Sequence, residues 1–220
     1  MRPFFCMKKK IPLDTWPRQE HFSFFNDFAQ PYFTVTVSLQ MERVYEMSKR
    51  NAVPFSLSCL YALQLALQSY TPIRYRIEAG EVVEYDAVEI SSVFLRGDET
   101  FRFVRLAPES DFNRFISANI HSKTEQLNGP LVNEQFLMES QVPNCVHVSI
   151  LPWLSFSSFG HARHSRDDFG IPKFVFGKYN KADGTMPFCI EVHHALMDGL
   201  HVAEFVQILQ EKIDQAIWDR

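Results

Sequence analysis

The stretch MPFCIEVHHALMDGLH, at positions 186–201, carries the clearest structural signal in this sequence of 220 residues. Apolar and polar residues alternate over 186–194, and this period of two is typical of a strand with one buried face. The same alternation puts the His194 imidazole on the apolar face, at the end of the strand. Asp198 and Gly199 then favour a turn that opens a helix. A histidine held where a rigid strand meets a loop is a candidate general base.

The sequence around this motif predicts alternating helices and strands. Apolar side chains recur at helical spacing after Leu200, at Val202, Phe205, Val206, Leu209, Ile213 and Ile217. Further helices are predicted around Val44, from Pro54 and after Pro108. Strands are predicted at 75–78, 81–85, 88–96, 101–106, 146–151 and 174–179. Helices mixed with strands, several of them joined as hairpins, indicate an α/β or α+β fold with a mixed sheet.

Composition and charge exclude several classes of function. The chain has 22 Lys and Arg against 26 Asp and Glu, a net charge of −4, which predicts no general attraction to nucleic acid or anionic membranes. No apolar stretch of signal-peptide length follows the basic residues 1–10, and the apolar run at 57–67 is too short to span a bilayer. We therefore expect one domain, residues 1–220, in the cytoplasm, with no membrane partner.

The positions of the cysteines and histidines argue against disulfides and metal sites. The four cysteines are scattered without a CxxC pair, at Cys6, Cys59, Cys145 and Cys189. We expect them to be buried free thiols in a reducing compartment. His193 and His194 should point to opposite faces of a strand, and the His161-x-x-His164 pair lies beside arginines that would repel a cation. We therefore expect no metal.

The motif by itself leaves a second interpretation open. A histidine on an apolar face is often a core residue whose hydrogen bonds are satisfied. Asp198 could serve only as the N-cap of the last helix, and Gly199 only the turn before it. Because an H-x-x-x-D-G pattern also arises by chance, its meaning depends on the rest of the chain.

Several segments together resemble the chloramphenicol acetyltransferases. HHALMDGLHV at 193–202 is similar to their HHxxxDGxH signature, which the acyltransferase cores of 2-oxoacid dehydrogenase complexes share in shorter form. WPRQEHF at 16–22 resembles the family's W-x-R-x-E-H-F, VSILPWLSFSSF at 148–159 resembles VSxxPWxSFTSF, and GKY at 177–179 resembles its GKY. These matches occur in the family's order. They imply a two-layer α+β sandwich, a mixed β-sheet with helices packed on one face.

The resemblance implies a homotrimeric acetyltransferase with each active site at a subunit interface. Acetyl-CoA would be the co-substrate and a hydroxyl of chloramphenicol the acceptor, in a ternary complex without an acyl-enzyme. By position, His194 is the general base and Ser149 the donor that stabilises the oxyanion. Asp198 corresponds to a structural aspartate that pairs with the arginine matched by Arg18. Such a base contributes about 10²–10⁴ in rate, and one oxyanion donor about 10²–10³.

The same resemblance assigns the binding residues. Lys178, Tyr179 and Trp153 fall at positions that hold the coenzyme in the family. Phe25 and Phe101 fall at aromatic positions of its acceptor pocket. The chain also contains 21 phenylalanines, and so many rings favour a rigid core, a flat interface or an aromatic-lined pocket.

The acceptor pocket departs from the family's pattern. His161, a candidate substrate-binding residue, replaces an apolar one, Val175 stands where the family can carry a threonine, and residues 127–144 lack its aromatic pair. Ser149 and Arg18 also have plain structural interpretations, as a strand serine bonded to backbone and as a surface cation. Two further hypotheses therefore stand beside chloramphenicol acetylation. One is the same chemistry on a different hydroxylated acceptor, and the other is a CoA- or ligand-binding trimer with little turnover.

Overall fold

The computed structural model describes residues 7–132, 142–163 and 169–216. Cys6, His164, Ile217 and residues 133–141 of the expected connection lie outside the described residues. Within the described ranges the chain forms five α-helices, besides two short 3-10 helices at Leu13–Thr15 and Thr71–Arg74: α1 (Gln19–Phe25), α2 (Glu42–Arg50), α3 (Phe55–Ser69), α4 (Phe112–Leu127) and α5 (Gly199–Asp214). The same ranges contain nine strands: β1 (Lys8–Lys10), β2 (Tyr32–Gln40), β3 (Tyr75–Glu78), β4 (Glu81–Tyr85), β5 (Glu89–Leu95), β6 (Phe101–Leu106), β7 (Cys145–Ile150), β8 (Lys173–Phe176) and β9 (Thr185–His193).

Six of these strands form one mixed sheet in the order β2-β9-β8-β7-β5-β6. β7 runs parallel to both β5 and β8, and the other neighbouring pairs are antiparallel. The crossover from β5 to β7 includes α4, since parallel neighbours need a long connection. β2 and β9 pair over their whole length, from Tyr32 opposite His193 to Gln40 opposite Thr185. The sheet therefore fixes the end of β9, where the histidine motif begins.

The two faces of this sheet differ in chemistry. The core face carries apolar side chains, including Val35, Leu39, Ile90, Val104, Val148, Phe174, Phe188, Ile190 and Val192. Helices cover this face, and the Phe205 ring of α5 lies 5.7 Å from that of Phe174. The opposite face, called the polar face here, carries Thr34, Glu89, Arg105, His147, Ser149, Lys173, Val175, Cys189 and Glu191. Helices on one face of a mixed sheet confirm the predicted fold class.

A separate three-stranded sheet has the order β1-β4-β3. The hairpin predicted from the sequence is confirmed, because β3 and β4 pair antiparallel around Ala79 and Gly80. Both turn residues have positive φ, and Gly80, at 79°, adopts that conformation without the steric cost that a side chain would add.

The structure differs from the expected elements in three places. The sequence prediction omits β1, α1 and β2, although apolar residues alternate along β2. The strand predicted at 174–179 ends at Phe176, and the next residue, Gly177, is packed so closely that a Cβ there would lie 2.9 Å from Phe156. β9 ends at His193, so that His194 is the first residue of the turn.

Candidate active site

The backbone of His194 is held on two sides. Its N–H donates to the carbonyl of Pro31 at 2.7 Å, just before β2 begins. Its carbonyl accepts from Nη2 of Arg18 at 3.1 Å, just before α1 begins. These two bonds join the end of β9 to two segments that are distant in sequence, so the fold itself sets where the candidate base stands.

The His194 imidazole is oriented by aromatic packing. The ring of Phe25 lies parallel to it, with centroids 3.8 Å apart and 5° between the planes, and the ring of Phe33 lies 4.8 Å away. Nδ1 is buried and has no hydrogen-bond partner among the described residues, whereas the side chain as a whole is only half-buried. Phe25, predicted to bind the acceptor, therefore also lies against the candidate base.

Arg18 and Asp198 meet although they are 180 residues apart. Nη1 of Arg18, a residue only 9% exposed, donates to Oδ2 of Asp198 at 2.6 Å. Asp198 is also the N-cap of α5: its Oδ1 accepts from the N–H of Leu200 at 3.1 Å and lies 2.7 Å from Nδ1 of His201. The carboxylate thus caps the helix and holds the arginine that bonds the His194 carbonyl.

The charge of Asp198 is secure near neutral pH. Burial on its own raises the pKa of this carboxyl, but the hydrogen bonds with His201 and Arg18 and their charges outweigh burial and hold the pKa well below its usual range. The ion pair with Arg18 therefore persists under ordinary conditions.

His193 differs from His194 in its surroundings and in its role. Its side chain lies on the polar face, the residue is 3% exposed, and its ring lies 4.8 Å from that of Tyr32. Nδ1 accepts from the N–H of Ala195 at 3.2 Å, within the turn. Burial, together with the positive charge of Arg163, lowers the pKa of His193 to about 4. The residue is therefore neutral near neutral pH and braces the turn.

Ser149 lies far from His194 of the same chain. It is half-buried on the polar face and pairs with Val175 of β8, which pairs in turn with Cys189 of β9. With about 4.8 Å between strands and about 3.3 Å per residue along them, Ser149 and His194 are roughly 19 Å apart. A single chain therefore does not bring the predicted base and the predicted oxyanion donor together.

The residues assigned to the coenzyme lie close to one another. The N–H of Lys178 donates to the carbonyl of Leu154 at 2.8 Å, which places it beside Trp153, whose exposed fraction is 61%. Tyr179 stacks on Tyr45, with ring centroids 4.4 Å apart. An exposed lysine close to an exposed tryptophan and a pair of stacked tyrosines suits a ligand that carries phosphates and a planar base.

The other two predicted acceptor residues belong to the polar face. Phe101 begins the edge strand β6, is exposed, and lies 5.6 Å from the Phe103 ring. His161 packs against Phe159 and places Nδ1 3.4 Å from a carboxylate oxygen of Glu191. Neither residue takes part in the ring stack at His194.

Glu191 and Arg163 are absent from the residues predicted from the sequence. Nε of Arg163 donates to Glu191 at 2.7 Å. Burial raises the pKa of Glu191, but the close contact with the His161 imidazole and the charge and hydrogen bond of Arg163 outweigh burial and lower it to about 2. A glutamate within an otherwise apolar strand was the signal that could have drawn attention to this pair.

Over 7–132, 142–163 and 169–216, no group of three or more His, Cys, Asp or Glu side chains is placed to hold a metal ion. In that same part of the chain no helix is both long and apolar enough to cross a membrane. Cys59 and Cys189 are buried free thiols, and Cys145 is buried as well.

Comparison with known sequences identifies relatives over nearly the whole chain. A sequence model of the family described as chloramphenicol acetyltransferase matches residues 7–210. A chloramphenicol acetyltransferase of Proteus mirabilis is 31% identical over 208 residues, which cover 93% of this chain and 94% of that protein. One from Escherichia coli is 31% identical over 218 residues, which cover 95% and 98%.

Comparison with solved structures also finds a chloramphenicol acetyltransferase. A chloramphenicol acetyltransferase superposes with a TM-score of 0.83 at 25% identity, and the match covers 94% of this chain and 100% of that one. A probable dihydrolipoamide acetyltransferase from Listeria monocytogenes has a TM-score of 0.66 at 15% identity and shares the fold alone. Since the family's sequence model spans most of the chain and relatives exceed 30% identity over most of their length, the chain belongs to the chloramphenicol acetyltransferase family.

Proposed function

We propose that this protein transfers the acetyl group of acetyl-CoA to a hydroxyl of chloramphenicol, with residues 1–220 acting as one CoA-dependent acyltransferase domain. Its family makes it an acyltransferase, and relatives named for chloramphenicol support that acceptor. The observation that carries the proposal is the His194 ring, stacked on Phe25 at a fixed point just beyond β9 while still partly open to a ligand. Acetylating the drug would make the activity one of antibiotic resistance.

His194 would act as general base. A neutral imidazole takes the proton of the acceptor hydroxyl as the hydroxyl oxygen attacks the thioester carbonyl carbon. The new C–O bond gives a tetrahedral intermediate, whose oxyanion receives a hydrogen bond from Ser149. As the C–S bond breaks, the imidazolium returns its proton to the sulfur, and the products are an acetyl ester and the free thiol of CoA. No group on the protein is acylated in this sequence.

Two subunits would build each site. Because His194 and Ser149 of one chain are roughly 19 Å apart, they act on the same substrate only when one comes from a neighbouring copy. In the proposed homotrimer, a ring of three copies would repeat one such interface three times. The polar face, which the helices leave uncovered, would then meet the His194 turn of the next subunit.

Arg18 and Asp198 would position the base and make no contact with substrate. Their ion pair ends in the hydrogen bond from Arg18 to the His194 carbonyl. Lys178, Tyr179 and Trp153 would hold the coenzyme, with the lysine near its phosphates and the rings against its apolar and planar parts. Acetyl-CoA supplies the activated acetyl group when it is bound.

The buried thiols of Cys59, Cys145 and Cys189 fit a reducing compartment, so we place the enzyme in the cytoplasm, with a small hydroxylated molecule as its acceptor and neither nucleic acid nor membrane as a partner.

Two observations favour alternative functions. Val175, which has no hydroxyl and lies beside Ser149, favours a weakly active CoA- or ligand-binding trimer. The contact of His161 with Glu191 instead favours the same chemistry on a more polar acceptor.

The proposal is tested by release of free thiol from acetyl-CoA. Purified protein should release thiol only when chloramphenicol is present, and the product should be heavier by one acetyl group. The control omits the acceptor, so that simple hydrolysis of the thioester is measured separately. Thiol release that does not depend on chloramphenicol, or no release at all, would contradict the proposal for this acceptor.

A further inference from the structure

A buried cluster of charged and polar side chains surrounds Glu191 on the polar face. It consists of Glu191, Arg163, His161, Thr34 and Tyr32 and is called the Glu191 cluster. Nε and Nη2 of Arg163 lie 2.7 and 2.6 Å from one carboxylate oxygen. Thr34 donates to the other oxygen at 3.3 Å, and Nδ1 of His161 lies 3.4 Å from it. The guanidinium also covers the Tyr32 ring, with Cζ 3.1 Å from the centroid.

A cavity of about 370 Å³ opens on this cluster. Its polar lining comes from Gln30, Tyr32, His161, Arg163 and Glu191. The volume lies in the range of sites for small molecules, which are usually mostly apolar. A lining with so many hydrogen-bonding groups therefore favours a polar ligand.

The cluster belongs to the same part of the sheet as Ser149. Glu191 is two residues from Cys189, which shares a cross-strand row with Val175 and Ser149. The strand spacings put Glu191 roughly 12 Å from Ser149, on the same face. The segment that carries His161 is tied down there, because the carbonyl of Ala162 accepts from Nζ of Lys173 at 2.9 Å. A molecule that reacts beside Ser149 is thus within reach of the cavity.

The chemistry of the cluster disfavours an apolar occupant. An aromatic ring laid over a buried ion pair removes water from charged groups and offers no hydrogen bond in return. Hydroxyl groups can replace that water, since each one both donates and accepts. Sites built to bind hydroxyls discriminate strongly against molecules that lack them, because the polar groups of the protein are then left unpaired.

We propose that the Glu191 cluster forms one end of the acceptor pocket and makes the enzyme prefer acceptors with several hydroxyl groups, of polyol or glycoside type, over apolar aromatic ones. This inference rests on the proposed acyl transfer for the identity of the pocket. The ion pair is a specificity device, because a buried pair replaced by apolar residues of similar size often costs little stability.

The test compares two buried ion pairs on the same face of the sheet. One variant combines Arg163→Met with Glu191→Leu. The matched control combines Arg105→Met with Glu89→Leu, at a pair that borders β7 from the opposite side. The probes are chloramphenicol and 4-nitrophenyl β-D-glucopyranoside, which share a nitrophenyl ring and differ in their hydroxyl groups. Calorimetry gives the dissociation constant of each probe for the parent and both variants.

We expect the preference for the glucoside over chloramphenicol to fall by about tenfold or more in the Arg163/Glu191 variant and to stay unchanged in the control. An unchanged ratio, an equal shift in the control, a parent that binds chloramphenicol more tightly than the glucoside, or a parent that binds neither probe would overturn the inference. If the double variant fails to fold, Glu191→Gln, which keeps the shape of the side chain, should still lower the ratio. Because binding is measured without turnover, the ratio of dissociation constants can still be interpreted if the proposed acetyl transfer is not observed.

Discussion

The two halves of the proposed site are held in different ways. The His194 half comprises His194, Phe25, Arg18 and Asp198. Contacts within one chain fix the backbone of His194, the plane of its ring and the charge of Asp198. The Ser149 half comprises Ser149 and the Glu191 cluster on the polar face, which the helices leave uncovered. In the proposed enzyme, the fold of one chain would therefore orient the base before any substrate binds, whereas the face that a neighbouring copy would cover would determine the choice of acceptor.

Replacing the base should have the largest effect. His194→Ala removes only the imidazole, so the acceptor hydroxyl must lose its proton without help, and kcat should fall by about 10²–10⁴. Steady-state thiol release measures this. His121→Ala, which removes an exposed imidazole on α4, is the control and should match the parent. A His194→Ala protein as active as the parent would place the chemistry elsewhere.

Replacing the oxyanion donor should have the next largest effect. Ser149→Ala should lower kcat by about 10²–10³, with little change in the KM for acetyl-CoA, because the hydrogen bond strengthens only as charge develops. Ser91→Ala, on the neighbouring strand β5, is the matched control. If both serine variants kept the parent's kcat, Ser149 would be an ordinary strand residue.

The Arg18–Asp198 pair tests whether the His194 half is preorganised. Arg18→Met leaves the Asp198 carboxylate without its guanidinium, so the free energy of unfolding should fall by about 2–4 kcal/mol, with a loss of kcat as well. Urea unfolding at one protein concentration measures the first effect. Lys10→Met, which breaks the exposed pair with Glu81, should change stability by less than about 1 kcal/mol. Equal effects from the two variants would make Arg18 a surface cation.

The smallest expected effect is a pH dependence of stability caused by one buried histidine beside each half. Burial is the first cause that lowers the pKa of His193 and of His147 to about 4. Between pH 6.5 and 4 the unfolded chain then binds protons that the folded chain does not, so stability should fall as the pH drops from 7 to 5. Glu191 adds to this loss only below about pH 4.5, the usual range of glutamate.

Substituting one buried histidine should remove part of this slope. His147→Asn should flatten the fall in the free energy of unfolding between pH 7 and 5, because its folded and unfolded states no longer differ in protons bound at that position. Urea unfolding at pH 7, 6 and 5 measures the slope, with His121→Asn as the exposed control. A parent that is more stable at pH 5 than at pH 7 would contradict the assigned direction.

The sequence predicts local structure better than it predicts which distant segments pair with each other. The strand and turn around His194 follow from one alternating pattern and from Asp198, a strong N-cap residue. The alternation along β2 is visible too, but the local pattern does not say that β2 pairs with β9, about 150 residues away. Strand order depends on packing across the whole chain, which short-range periodicity does not encode.

The same limit applies to the candidate site, where residues inside family motifs are predicted and contacts between distant residues are not. Family motifs point to His194, Ser149 and Arg18 because those residues stand inside matched segments. The Glu191–Arg163 pair stands outside them, joins residues 28 apart, and needs the register of the sheet before it can be seen. The stacking of Phe25 on His194 also depends on how α1 meets the end of β9, a tertiary contact that no local pattern reveals.

The central claim is that each site takes His194 from one subunit and Ser149 from the next. Co-expression of His194→Ala and Ser149→Ala chains tests it, because about a quarter of the interfaces in randomly mixed trimers then combine an intact His194 with an intact Ser149. We predict activity near a quarter of the parent's, far above that of either variant alone. Mixed assemblies no more active than the average of the two variants would contradict the claim.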